Sequence, residues 1–113
     1  MKQTVIGLFF AFSLIAGTAR ASDPAALMAK GKKVYSGSGG CVACHGKDGT
    51  PVVPGAPNFK DAKWQKRKTD EQLSKSIREG KGTMPKHTGP ESDIPALVAY
   101  VRSFAAPRPE GGQ

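Results

Sequence analysis

Cys41-Val42-Ala43-Cys44-His45 is the stretch on which the reading of this 113-residue chain turns. The chain has no other cysteine, and these two stand too close in sequence to tie distant segments together. Two thiols separated by two residues, with an imidazole next in line, form the pattern of covalent c-type haem attachment. The sulfurs can reach the two vinyl groups of one porphyrin, and the histidine falls beneath the iron. A thioredoxin-like dithiol belongs to a βαβ context, of which the sequence shows no sign. A structural zinc needs four protein ligands, and two cysteines with two poorly spaced histidines do not supply them. The expected cofactor is one haem c, bound through Cys41 and Cys44 with His45 as the proximal ligand.

A second axial ligand has to come from elsewhere in the chain. Met28 falls in a helical pattern, where an apolar packing role is the ordinary one. Met84 lies in Gly80-Lys81-Gly82-Thr83-Met84-Pro85, a glycine-flanked loop far enough beyond His45 to reach the opposite side of the porphyrin. Met84 is the expected ligand, with His87 as its rival three positions later.

Outward from the motif the sequence reads as helices joined by irregular segments. Asp23-Pro24 is a helix start, with a capping carboxylate followed by proline. Leu27, Gly31, Val34 and Tyr35 then recur at helical spacing until the glycine- and serine-rich segment 36–40. Residues 46–68, interrupted by Pro51, Pro54 and Pro57, are expected to be one long wrapping loop. Thr69-Asp70-Glu71-Gln72 fits a capping box ahead of Leu73 and Ile77, and Gly80 ends that helix. Ser92 or Asp93 caps a last helix with the stripe Ile94, Leu97, Val98, Val101 and Phe104, which Pro107 closes. No alternating strand, repeat or heptad run is present, so the fold class is all-α.

The N-terminus reads as an export signal. Lys2 precedes an apolar run from Val5 to Ala16, and Ala19-Arg20-Ala21 has the small-x-small form of a cleavage site. The expected division is residues 1–21 as a signal peptide and 22–113 as one mature domain in the periplasm. The apolar run is shorter than the roughly 20 residues a spanning helix needs, so no membrane span is expected in the mature chain. Removing Lys2 and Arg20 lowers the formal net charge from +8 to +6. That excess favours an acidic partner. Nucleic acid is not expected, because no helix-turn-helix, zinc-finger or aromatic RNA-binding signature accompanies the charge.

These residues resemble the small class I c-type cytochromes of bacteria over essentially the whole mature length. Gly31 and Tyr35 are similar to the glycine and aromatic of that family's N-terminal helix, and Leu97 and Tyr100 to the partner positions on its C-terminal helix. The resemblance implies a cytochrome c fold of three to five helices around one haem, with Met84-Pro85 as the axial methionine motif. It also implies that the carbonyl of Pro57, or alternatively of Pro54, accepts the second N–H of the proximal imidazole. Trp64 resembles a tryptophan found near the haem in part of the family, with a packing role as the alternative to a propionate bond. The segment 36–40 is slightly longer than the family pattern.

A haem closed by two axial ligands leaves no substrate position. The expected function is therefore one-electron transport by a soluble, monomeric carrier rather than an enzyme. Lys60, Lys63, Lys66, Arg67, Lys68, Lys81 and Lys86 would attract a transiently docked acidic redox protein. Two alternatives remain: a cytochrome subunit of a larger oxidoreductase, and a catalytic haem with a labile sixth ligand, for which only His87 offers a proton.

Overall fold

A computed structural model describes residues 23–105. The expected signal peptide and cleavage site, and the stop at Pro107, lie outside these residues. The described chain forms five helices: α1 (Pro24–Ser36), α2 (Val42–His45), α3 (Ala62–Arg67), α4 (Asp70–Glu79) and α5 (Asp93–Ser103). Among the described residues there is no strand, only an isolated antiparallel bridge between Lys81 and Met84. No helix among them is long and apolar enough to cross a membrane.

The framework is the crossing of α1 and α5. Asp23 caps α1 by accepting a hydrogen bond from the Ala25 N–H, and Pro24 stands at the first helical position. Gly31 is the crossing point: a Cβ built there would lie 2.1 Å from the Ala96 carbonyl oxygen and 2.8 Å from Tyr100 Cβ. The two backbones approach this closely only because that atom is missing. One turn later Tyr35, fully buried, meets Tyr100 edge-on with ring centroids 5.1 Å apart. Edge-to-face contact sets the positive rim of one ring against the negative face of the other. The whole stripe expected on α5, Ile94, Leu97, Val98, Val101 and Phe104, is buried, and it forms one core with Val34, Tyr35, Phe59 and Leu73.

α4 begins as its sequence indicates. Thr69 Oγ1 accepts from the Gln72 N–H at 3.1 Å, and Gln72 Oε1 accepts from the Thr69 N–H at 3.0 Å. The segment 46–68 departs from the expected continuous loop, because Ala62–Arg67 is helical. Asp61 caps it through the Lys63 N–H at 2.9 Å, and an Ala, a Gln and three basic residues carry it. A six-residue helix is too short to display a hydrophobic period, which is why the sequence reads as loop there. The expected cap of α5 also differs: Ser92 makes no capping bond, and its hydroxyl instead accepts from Lys30 Nζ at 3.0 Å.

α3 is fastened by polar side chains. Gln65 Nε2 donates to the carbonyls of Phe59 and Val101, at 2.8 and 2.9 Å. Arg102 donates to the carbonyls of Gln65 and Lys68 and to the Asp70 carboxylate. These bonds satisfy the carbonyls at the end of α3, which its own helix leaves unpaired.

Candidate functional site

The attachment motif becomes a single helical turn. Cys41 stands at the N-cap of α2 and Cys44 three positions on, inside it, so the two side chains project from neighbouring positions on one face. Both are free thiols; Cys44 is exposed and Cys41 half-buried. Burial pushes the Cys41 thiol above its ordinary pKa.

His45 ends α2 and is held from three sides. Its N–H donates to the Cys41 carbonyl at 2.9 Å. The next carbonyl, of Gly46, accepts from the buried Tyr35 hydroxyl at 2.6 Å, which ties the motif to α1. Desolvation raises the Tyr35 phenol well above its ordinary pKa, so it remains a donor. The imidazole stacks on Phe59, centroids 4.5 Å apart and planes 20° apart. Burial pushes the His45 pKa down, favouring the neutral ring, which has a lone pair for a metal.

The Nδ1 atom of His45 is buried without a hydrogen-bond partner. The expected bond to the Pro57 carbonyl, or to that of Pro54, is therefore not made in this structure. Residues 53–56 are drawn into a turn by the Ala56 N–H donating to the Val53 carbonyl, and the contact this region gives the imidazole is the face of Phe59. Stacking leaves no spacing signature, so nothing in the sequence marks Phe59 for this role.

A cavity of about 820 Å³ opens on these groups, toward the upper end of the size range of small-molecule sites. Cys41, Cys44 and His45 line it, as do Met84, Trp64, Pro54 and Pro57. Every residue expected at the cofactor thus borders one space. Met28 does not border it; it is half-buried on α1. Trp64 is half-buried and packs on Phe59 with centroids 5.3 Å apart, forming wall. His87 also lines the cavity, yet its Nε2 is paired with Asp93 Oδ2 at 2.9 Å. Of the basic residues expected around the edge, Lys68, Lys81 and Lys86 line the cavity, joined by Lys75, which the sequence did not single out. Lys60 is instead engaged with Asp48 at 2.8 Å.

The residues present fit a haem. Two thiols one turn apart, a neutral imidazole with an orphaned nitrogen, and a thioether on the same cavity form a soft sulfur and nitrogen donor set suited to iron porphyrin. When bound, the haem supplies a one-electron ferric–ferrous couple.

Comparison with known proteins agrees with a haem c cofactor. The family model described as cytochrome c oxidase, cbb3-type, subunit III, matches residues 26–101. Among solved structures, the c-type cytochrome KustC0563 is similar at 36% sequence identity with a TM-score of 0.59, covering 66% of this chain and 95% of that one. No curated protein matches the sequence.

Proposed function

The chain belongs to the family of c-type cytochrome domains described as cytochrome c oxidase, cbb3-type, subunit III, and from that premise we propose that it is an exported, freely diffusing one-electron carrier of the small class I type. Its cofactor is haem c, and its role at the coarsest level is electron transfer. In this reading Cys41 and Cys44 form the thioethers, His45 is the proximal ligand and Met84 the distal one. The observation that carries it is the convergence of all four side chains on one cavity. Phe59 and the Tyr35–Gly46 bond hold the imidazole in place.

Methionine ligation favours ferrous iron and raises the potential. The test is the mature protein with Met84→Ala and Met84→His. Both should lose the weak far-red band of methionine-ligated ferric haem, and Met84→His should lower the midpoint potential. An unchanged spectrum in either variant rejects the assignment. Location in the periplasm and an acidic redox partner belong to the same proposal, supported by the N-terminal export pattern and the basic charge.

A second reading, a cytochrome subunit held in a larger oxidoreductase, is favoured by the printed description of the matching family. Sedimentation of the native protein separates the two. A carrier travels as a free monomer, and a subunit travels with stoichiometric partners.

A further inference from the structure

The loop that bears Met84 is tied at two points. Within it, Lys81 and Met84 exchange two backbone hydrogen bonds, 3.1 and 2.9 Å, which fold residues 81–84 into a tight turn. Three residues on, the His87 N–H donates to the Ile77 carbonyl at 2.8 Å, fastening the loop to α4. The side chain of His87 then reaches the other way. Its Nε2 pairs with Asp93 Oδ2 at 2.9 Å, and both side chains are more than nine-tenths buried.

Asp93 is itself anchored. It opens α5, where the helix dipole favours a carboxylate, and its other oxygen lies 3.6 Å from Lys30 Nζ on α1. The contact is also crowded from outside. A Cβ at Gly89 would lie 2.5 Å from His87 Nε2 and 2.7 Å from Asp93 Oδ2, so a side chain there would displace the pair.

We propose that the buried His87–Asp93 pair is a clasp that locks the Met84 loop to the rigid α1–α5 crossing, making His87 and Asp93 positioning residues for the distal ligand. The proposal rests on Met84 being that ligand. His87 is then not a competitor for the metal but the fastener that keeps Met84 in place. Without the clasp the turn at 81–84 is held on one side only, and the population with Met84 released rises. An exogenous ligand binds only that open population, so its apparent affinity measures the opening directly.

The experiment titrates imidazole into the ferric holoprotein, following loss of the far-red band, for wild type, His87→Ala, Asp93→Asn and Arg102→Ala. Asp93→Asn keeps the shape of the carboxylate and stands in should His87→Ala fail to fold. Arg102 braces α3 away from the loop, so its removal lowers the unfolding midpoint without touching the clasp. We expect the two clasp variants to bind imidazole about tenfold more tightly than wild type, about 1.4 kcal/mol of opening free energy, and Arg102→Ala to bind it as wild type does. Affinities of the clasp variants within about twofold of wild type overturn the clasp. So does an equal gain in Arg102→Ala, which would mean that lost stability alone frees the methionine. A wild-type ferric spectrum with no far-red band is a separate outcome: it removes Met84 as ligand, and the clasp falls with it.

Discussion

At the scale of single residues the site depends on groups whose ordinary chemistry is displaced by their surroundings. Burial keeps His45 neutral and Tyr35 protonated, so one is available as a ligand and the other remains a donor to the Gly46 carbonyl. Asp48 is displaced in the opposite sense. The hydrogen bond from Lys60, followed by that from the Thr50 N–H, lowers its carboxyl to about 2, below the ordinary value of about 3.9. The pair bridges residues 48 and 60 and so closes the loop that follows His45. A depressed folded pKa contributes stability that is fully present above the unfolded value and is lost as pH falls through the folded one. Asp48→Asn should therefore be less stable than wild type near neutrality, with the two converging as pH falls from about 4 toward about 2. Urea midpoints measured across that window check it. The ion pair is exposed, so the difference should also shrink in salt, and a gap that persists undiminished at low pH would assign the loss to something other than the charge.

Among the elements, α1 and α5 carry the framework, and their crossing is set by a missing atom. Gly31→Ala places a methyl 2.1 Å from the Ala96 carbonyl oxygen, a backbone atom that cannot turn aside. Overpacking of this kind costs about 1–3 kcal/mol, which a shift in the denaturation midpoint of the holoprotein would register. Wild-type stability in that variant would mean that the helices are free to part. α3 contributes differently: it is too short to sustain itself and depends on Gln65 and Arg102, whose partners are mostly backbone carbonyls.

For the whole molecule the governing quantities are charge and the opening of the cavity. The chain carries a formal net charge of +8, and Lys68, Lys75, Lys81 and Lys86 lie along the cavity that holds the proposed ligands. In the proposed carrier, a positive field around this cavity would steer an acidic partner toward it, and salt screens such a field over a Debye length of about 8 Å at physiological ionic strength. Electron transfer to an acidic redox protein should slow as ionic strength rises, in stopped-flow measurements at fixed driving force. A rate that does not vary with salt would remove the lysines from the docking step.

Read along the chain, Cys41, Cys44 and His45 stand out because haem attachment is a local pattern, and three residues within one helical turn face one cavity together wherever the rest of the chain goes. The α5 stripe and the Thr69–Gln72 capping box were legible for the same reason, since periodicity and capping act over a few residues. Met84 was the ligand expected from the sequence and His87 its rival, but that the His87 imidazole is paired with Asp93 appears only in the folded chain. Nor could the sequence show that Phe59 backs the proximal ring, that Gly89 lies directly against a buried pair, or that Gln65 and Arg102 fasten a six-residue helix. Local order follows from neighbours in the chain, whereas these contacts join residues from separate elements, and such pairings exist only once burial has excluded water and fixed which groups face each other.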